Sequence, residues 1–298
     1  MTEQEFAFIA TLLKERSGLT LGKDKTYLLD TRLLPVARRQ GLASVQLLIG
    51  AMQTGRSESL IDAVVEAMTT NETLFFRDRH PFDALRRHIL PALIEQRAAQ
   101  RALRIWSAAC STGQEPYSIA MILRDSFPEL AAWHIEIIAT DLAPAVLARA
   151  REGMYTSFEA QRGLPIHLLV KHFDQIGDRW QIKHELRRMI TFQAFNLLTD
   201  PSPLGVFDVI FCRNVLIYFD QPTKAAVLDR LSRRLTPSGA LILGGAESVF
   251  GISNAFAGVD NLRGVYRPTQ GGKAQPAIRT AMQATARTPA PVRAAGNI

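Results

Sequence analysis

Apolar residues in the first 70 positions recur three and four residues apart. Ile9 and Leu13 belong to one such stripe, and Leu60 and Val64 belong to another. This spacing places apolar side chains on one face of a helix. Glycines interrupt the pattern at short intervals, so we predict several short helices that form a compact helical domain over residues 1–75.

From Leu103 onward, apolar runs of strand length alternate with helical segments. The predicted strands cover 103–110, 134–140, 189–195, 207–212 and 240–244. Helices are predicted between them, at 115–126, 143–151 and 221–235, the last with Asp220 as its N-cap. The alternation is typical of a parallel sheet in an α/β fold. We therefore predict a second, α/β domain over residues 76–267.

Two further segments depart from this alternation. Residues 154–189 are a longer insertion with mixed patterning around the turn signal Gly177-Asp178, across which two strands such as 168–173 and 179–184 could pair. Residues 268–298 are mostly Ala, Pro, Thr, Gln and Arg without periodicity, which predicts a disordered basic tail.

The positive charge is concentrated at the end of the chain. The net charge is +7, and residues 268–298, which contain four basic residues and no acid, contribute +4 of it. A folded part so nearly neutral argues against a broad nucleic-acid-binding face. The chain shows no basic leader before an apolar run and no window of membrane-spanning length, so we expect a soluble, cytoplasmic protein.

Two cysteines, Cys110 and Cys212, each end an apolar run. Two cysteines are too few for a disulfide framework, and they lack the close spacing of a zinc site. We expect both to be small buried residues rather than nucleophiles, and we predict no metal centre.

The segment 105–115 is a strand, a turn of small residues and the start of a helix. In a parallel sheet such a turn lies at the carboxyl end of a strand, where ligands bind. Gly113 stands alone where a dinucleotide site would have three glycines, and Glu115 would repel a phosphate. A cofactor with positive charge and no phosphate fits better, as S-adenosylmethionine does. Alternatively, Glu115 interacts only with the helix dipole.

Further polar residues follow other predicted strands. Asp141 ends the strand 134–140, where an acidic side chain can accept both ribose hydroxyls, or it is an N-cap for the helix that follows. Arg213, Asn214 and Tyr218 follow the strand 207–212, where they either line the same crevice or brace neighbouring loops.

The joint between the two predicted domains contains the string TTNETLFFRD at 69–78. Its polar and aromatic residues are consistent with a capped helix that has an aromatic anchor. Because the string connects two domains, a lid or an edge of the site is also consistent with it.

Five strings together resemble the CheR family of chemotaxis receptor methyltransferases in order and spacing over roughly residues 1–267. They are NETLFFRD, IWSAACSTGQEPYSIAM, ATDLAPAVLARAREGMY, FNLL and FDVIFCRNVLIYFD. The resemblance implies a helical domain joined to a Rossmann-like sheet that binds S-adenosylmethionine, with a small β subdomain inserted. It further implies methylation of glutamate side chains on cytoplasmic helices of chemotaxis receptors, with S-adenosylhomocysteine as the second product.

The resemblance also implies roles for individual residues. Asn71, Thr73 and Arg77 would close over the cofactor, while Glu115 would hold its amino group and Asp141 its ribose. Asn196 and Leu197 would flank the adenine, and Arg213 and Asn214 would complete the pocket. Arg77 and Tyr218 would lie nearest the methyl group and orient the substrate. An ionised glutamate needs no general base, so we expect catalysis by orientation and placed charge.

The helical domain carries Arg32, Arg38 and Arg39 within LLDTRLLPVARRQ, which resembles the family's receptor-facing helix; otherwise these residues form an ordinary solvated face. The family's β subdomain grips a receptor pentapeptide in some members. Here the short turn around Gly177 argues against use of such a tether.

Three other functions fit parts of the pattern less well. An oxidoreductase would need the missing glycine triplet. A nucleic-acid methyltransferase would need a more basic folded part. A non-catalytic module that senses S-adenosylmethionine or binds a receptor remains the main alternative.

Overall fold

The computed structural model describes residues 1–55 and 57–269. The predicted tail falls on residues outside this range, except at its start. Pro268 ends the last strand of the main sheet, and the backbone N–H of Thr269 donates to the carbonyl of Ala255. The folded part therefore extends slightly beyond the predicted boundary.

The first 70 residues form the predicted all-helical domain. Its helices are α1 (Glu3–Ser17), α2 (Thr26–Arg39), α3 (Val45–Gly55) and α4 (Glu58–Met68). Thr2 and Glu5 form a capping box at the start of α1, and Gly18 ends this helix with a φ of +77°. The apolar stripes read from the sequence face inward, and Ile9, Leu33 and Val64 are completely buried.

The second domain is built on a seven-stranded sheet. Its strands are β1 (Ala102–Ala108), β2 (His134–Asp141), β6 (Ile190–Ala194), β7 (Phe207–Cys212), β8 (Leu235–Leu243), β9 (Phe256–Val259) and β10 (Leu262–Pro268). The order across the sheet is β6-β2-β1-β7-β8-β10-β9. The first five strands in this order are parallel, and β10 and β9 run antiparallel to their neighbours.

Helices cover both faces of the sheet and lead into it from the helical domain. They are α5 (His80–Ala84), a π-helical turn (Leu85–Ile89), α6 (Leu90–Arg97), α7 (Gln114–Ser126), α8 (Pro144–Glu152) and α12 (Gln221–Ser232). Asp220 caps α12 as predicted, because its carboxylate accepts the N–H of Thr223 at 3.0 Å.

All five predicted strands of the main sheet are confirmed, four of them with shifted ends. Strand β8 begins at Leu235 rather than at 240, so α12 ends earlier than predicted. The sequence Thr-Pro-Ser-Gly at 236–239 is typical of a turn. In the structure these residues form an irregularity in β8, between Leu235 and Ala240, which both pair with β7. The hairpin of β9 and β10 was not predicted, because glycines and charged residues dilute its apolar pattern.

The insertion forms a separate three-stranded sheet in the order β3-β5-β4. Its elements are β3 (Met154–Thr156), α9 (Ser157–Gln161), α10 (Ile166–His172), β4 (Phe173–Ile176), β5 (Arg179–Ile182) and α11 (His184–Arg187). The turn at Gly177-Asp178 is confirmed. The prediction of a strand at 168–173 is wrong, because residues up to His172 are helical. Leu169 and His172 are buried at helical spacing, a pattern too short to distinguish from a strand by sequence alone.

The end of α1 lies against the loop that follows β7. Leu19 pairs with Phe219 in an isolated antiparallel bridge, and Lys14 forms an ion pair with Asp220 at 2.8 Å. The helical domain therefore meets the sheet at the carboxyl ends of its parallel strands. No helix in the described part of the chain is long and apolar enough to cross a membrane.

Candidate active site

A cavity opens where the helical domain meets the carboxyl ends of β1, β2 and β7. About 960 Å³ of space lies among its lining atoms, a figure that includes open solvent. The ten residues predicted for the cofactor site and the methyl-transfer site all line it. These are Asn71, Thr73, Arg77, Glu115, Asp141, Asn196, Leu197, Arg213, Asn214 and Tyr218.

The turn between β1 and α7 forms the floor of this cavity. Ala109, Ser111 and Gly113 have φ values of +58°, +51° and +94°. A side chain on Gly113 would place its Cβ 3.0 Å from the Cβ of Ala150, so this position has neither the backbone nor the space for another residue. The predicted order of strand, small-residue turn and helix is therefore confirmed.

Glu115 lies in the first turn of α7, with its carboxylate buried in the cavity wall. Oε1 accepts the hydroxyl of Ser107 at 2.8 Å, and Oε2 accepts Nη1 of Arg213 at 2.9 Å. Burial raises the pKa of Glu115, while the guanidinium of Arg213 and the hydroxyl of Ser107 oppose this shift. The carboxylate thus has specific partners beyond the helix dipole.

Asp141 ends β2 and faces the same turn. Its two carboxylate oxygens accept the backbone N–H groups of Ser111 at 2.8 Å and Ala143 at 3.0 Å. Asp141 is not the N-cap of α8, because that helix begins at Pro144 with Ala143 as its cap. Burial raises the pKa of Asp141, and the backbone N–H groups oppose this shift. A carboxylate has about four acceptor positions, so Asp141 can accept a further donor.

Arg213 is almost completely buried and connects three parts of the site. Besides Glu115, its guanidinium donates to the carboxylate of Asp78 and to the carbonyl of Arg77, both at 2.8 Å. The guanidinium also lies 5.5 Å from the ring centroid of Phe82. Lining the site and bracing loops were alternatives in the sequence, and Arg213 does both.

Arg77 and Tyr218 line the cavity from two different segments, the joint between the domains and the loop after β7. Arg77 is half-buried, and its Nη1 donates to the carbonyl of Glu72 at 2.9 Å, which uses one of five N–H donors. Tyr218 is also half-buried, and its carbonyl accepts the N–H of Thr20 from the helical domain at 2.8 Å. Both side chains therefore belong to segments that are fixed at their backbones.

The side-chain amide of Asn196 makes hydrogen bonds to backbone groups of the protein. Its Nδ2 donates to the carbonyl of Arg16 at 2.7 Å, and its Oδ1 accepts the N–H of Leu198 at 3.0 Å. Asn196 thereby holds the loop after β6 against the end of α1. Leu197 and Phe195 supply apolar surface to this side of the cavity.

Sequence reasoning missed Glu247, which organises the loop after β7. Its carboxylate accepts the backbone N–H groups of Asn214, Val215, Leu216, Ile217 and Gly244. Asn214 has a φ of +57°, so this loop contains a strained residue that needs such support. The available signal was the one used for Asp141, an acid that follows the end of a buried strand.

The cavity also includes two residues of the helical domain that were not predicted. Ser17 and Leu19 line its wall at the end of α1. No sequence pattern marks them, because only the packing of α1 against the loop after β7 brings them there.

The three arginines predicted to face a receptor differ in their surroundings. Arg38 and Arg39 are exposed in the last turn of α2. Arg32 is half-buried, and its guanidinium donates to the carbonyls of Met68 and Thr69 at 2.7 and 3.0 Å. Arg32 therefore braces the segment that leads into the cavity, and it does not share the exposed face of the other two.

Both cysteines are buried, Cys110 beside the cavity and Cys212 at the end of β7. Burial raises the pKa of each thiol well above its ordinary value, which favours the structural interpretation over a nucleophile. Within residues 1–55 and 57–269, no three His, Cys, Asp or Glu side chains converge in a way that could hold a metal ion.

Both parts of the chain match models of a known protein family. Residues 71–264 match the family described as CheR methyltransferase, SAM binding domain, and residues 4–69 match CheR methyltransferase, all-alpha domain. Chemotaxis protein methyltransferase 1 of Pseudomonas aeruginosa is 41% identical over 269 residues, 88% of this chain and 97% of that protein. Chemotaxis protein methyltransferase 1 of Vibrio cholerae is 40% identical over 260 residues, 86% and 93% of the two chains. With both of its domains matched, this chain belongs to the CheR methyltransferase family.

Proposed function

We propose that this protein transfers a methyl group from S-adenosylmethionine to glutamate side chains of chemotaxis receptors, giving methyl esters in chemosensory adaptation. The observation that carries the proposal is the pair of buried acids, Glu115 and Asp141, on the wall of the cavity described above. Membership in the CheR methyltransferase family and the names of the relatives agree with it. The proposal places the protein in the cytoplasm, where the signalling helices of such receptors lie.

The residues around the cavity suit S-adenosylmethionine by their chemistry. Two carboxylates favour a cationic ligand, and the turn with the single Gly113 lacks the glycine triplet of a pyrophosphate site. Apolar side chains at Leu142, Phe195 and Leu197 offer a surface for a flat base. In this assignment Glu115 holds the amino group and Asp141 the ribose hydroxyls.

The other residues on the cavity wall have proposed roles too. Asn196 and Leu197 flank the adenine, and because the Asn196 amide is already bonded within the protein, it acts by holding the loop. Asn71, Thr73 and Arg77 close over the cofactor, while Arg213 and Asn214 complete the pocket.

The proposed chemistry asks the protein mainly to position a carboxylate. When bound, S-adenosylmethionine supplies a methyl carbon on a cationic sulfur, which an ionised carboxylate can attack directly as the carbon–sulfur bond breaks and its electron pair remains on sulfur. A substrate glutamate with a pKa near ~4.3 is already ionised, so no side chain has to remove a proton. Arg77 and Tyr218 orient this carboxylate, and the rate comes from alignment and placed charge.

In the substrate interaction, Arg38 and Arg39 on α2 guide the acidic receptor helices to the cavity. Their exposure leaves them free to do so. We retain the proposal that this protein does not use a pentapeptide tether, because the turn between β4 and β5 consists of only Gly177 and Asp178.

Transfer of a tritiated methyl group to a receptor cytoplasmic fragment tests the proposal. We expect labelled fragment, and we expect base to release the label as volatile methanol, since esters hydrolyse in base and methylated amines do not. Label that stays on the fragment in base would contradict glutamate as the acceptor.

Arg77→Ala tests the proposed role of Arg77. We expect transfer to fall at least about a hundredfold, because removal of one donor that orients reacting groups typically costs a few kcal/mol. Wild-type turnover would remove Arg77 from the role.

Calorimetry and the transfer assay together separate an enzyme from the non-catalytic alternative. An enzyme binds S-adenosylhomocysteine and transfers the methyl group, whereas a non-catalytic module binds S-adenosylhomocysteine without transfer.

A further inference from the structure

The turn that forms the floor of the cavity has an unfavourable backbone. Ala109 and Ser111 have positive φ values without being glycine. Such residues cost of order 1–3 kcal/mol each and persist only where surrounding contacts fix them. The conformation of this turn therefore depends on groups outside it.

Four hydrogen bonds from other parts of the chain fix the turn. Three of them come from strand β2 and from the joint between the domains. The N–H of Cys110 donates to the carbonyl of Thr140 at 2.9 Å, and the N–H of Ser111 donates to the carboxylate of Asp141 at 2.8 Å. The hydroxyl of Ser111 donates to the carbonyl of Asn71 at 2.7 Å.

The fourth hydrogen bond comes from the β subdomain. The hydroxyl of Tyr155, in β3, donates to the carbonyl of Thr112 at 2.7 Å. Tyr155 is 1% exposed, and burial raises the pKa of its hydroxyl well above the ordinary value. The hydroxyl therefore stays protonated and remains a donor at neutral pH.

The ring of Tyr155 is held by aromatic neighbours. Its centroid lies 5.0 Å from that of Phe75, in the joint between the domains, and 6.4 Å from that of Phe173 in β4. In the sheet it pairs with Trp180 of β5. One residue thus connects the β subdomain, the joint and the cavity floor.

We propose that Tyr155 is a positioning residue for the cofactor, and that the β subdomain is therefore part of the cofactor site. Through its hydroxyl, the subdomain holds the turn 109–113 in the conformation that binds S-adenosylmethionine. This inference rests on the proposed function, since it assumes that the cofactor occupies this cavity. It gives the insertion a role that is independent of any receptor peptide.

Tyr155→Phe removes the hydroxyl and keeps the ring. We expect S-adenosylhomocysteine to bind roughly threefold to tenfold more weakly, which corresponds to the usual worth of one hydrogen bond. In the transfer assay the KM for S-adenosylmethionine should rise by a similar factor while kcat at saturation stays close to wild type, because the reacting groups are unchanged.

Tyr117→Phe is a matched control. Tyr117 is also fully buried, and its hydroxyl donates to a backbone carbonyl, that of Ala150, at the same distance of 2.7 Å. Both variants should lose comparable thermal stability, and only Tyr155→Phe should lose cofactor affinity. Hydrogen exchange in a peptide covering 109–113 should also become faster in Tyr155→Phe alone.

The outcomes separate this inference from the function on which it rests. Wild-type affinity in Tyr155→Phe, or an equal loss of affinity in Tyr117→Phe, would overturn the inference and leave the proposed function intact. Failure of the unchanged protein to bind S-adenosylhomocysteine would overturn both.

Discussion

At the scale of single residues, Glu247 supports more of the site than any residue predicted from the sequence. Oε1 accepts three consecutive backbone N–H groups, from Val215 to Ile217, and Oε2 accepts those of Asn214 and Gly244. In Glu247→Gln, one of these oxygens becomes an NH₂ group that faces N–H donors. We expect kcat to fall roughly tenfold or more, because at least two donors lose their acceptor and Tyr218 shifts.

Glu66→Gln is the control for this change. The carboxylate of Glu66 accepts the N–H of Ala145 at 2.9 Å, and the amide oxygen of a glutamine can replace it. We expect nearly wild-type turnover and stability from this variant in the same assays. Equal effects of the two substitutions would show that the five hydrogen bonds of Glu247 have no special importance.

Glu115 and Asp141 predict a pH dependence of cofactor binding. Burial raises the pKa of both carboxyl groups, so they take up protons at a higher pH than ordinary acids. Since a cationic amino group needs the ionised form of Glu115, affinity for S-adenosylhomocysteine should fall as the pH is lowered from about 8 to about 5, measured by calorimetry.

Protein stability should respond to these two groups in the opposite direction. A carboxyl group whose pKa is raised in the folded state binds its proton more tightly there than in the unfolded chain. Its contribution to stability is present below the unfolded pKa and is lost as the pH rises through the folded pKa. Weaker binding in mild acid, with the fold intact by circular dichroism, is therefore expected; Glu115→Gln should bind weakly at every pH with a flatter profile.

At the scale of elements, Gly18 controls how α1 meets the loop after β7. Its φ is +77°, and an added Cβ would lie 3.0 Å from the ring of Phe219 and 3.1 Å from Leu198. Gly18→Ala should lower the free energy of unfolding by about 2–3 kcal/mol, from backbone strain together with displaced packing. It should also weaken S-adenosylhomocysteine binding, because the adjacent Leu19 lines the cavity.

Gly41→Ala isolates the backbone part of that effect. Gly41 has a φ of +74° and open space where a Cβ would be. We expect a loss of about 1 kcal/mol in chemical denaturation with unchanged ligand affinity. If Gly18→Ala behaved in the same way, the contact between α1 and Phe219 would have no part in cofactor binding.

At the scale of the whole molecule, the basic end of α2 is expected to guide the substrate. Arg38→Glu combined with Arg39→Glu should lower the initial rate of receptor methylation roughly fivefold to tenfold at low ionic strength. The affinity for S-adenosylhomocysteine should stay unchanged, and added salt should reduce the difference between variant and wild type.

Arg101→Glu is the charge-matched control for each α2 reversal made singly, because each of these substitutions exchanges one positive charge for one negative charge. Arg101 is exposed just before β1, at the end of the sheet opposite the cavity. Its reversal should leave the rate of methylation close to wild type. A loss as large as that of the α2 variant would indicate a general effect of charge, and a salt-independent rate in wild type would argue against guidance.

The sequence by itself determined the helical domain, the five strands of the parallel sheet and several polar residues at strand ends that line the cavity. These follow from short-range pattern, because apolar periodicity specifies elements and polar residues at the ends of parallel strands meet at one edge. Asp141 and Arg213 were found in this way. The strand predicted at 168–173 failed because six residues do not separate helical from strand spacing.

Tertiary structure alone decided how the cavity is closed and supported. Ser17 and Leu19 reach it only because α1 packs against the loop after β7. Arg32 turns toward the joint, Glu247 gathers backbone donors, and Tyr155 holds the cavity floor from 43 residues away. Each of these contacts joins segments distant in sequence and leaves no periodic signal, because backbone N–H and C=O groups are present at nearly every position and only the fold selects which ones meet a side chain.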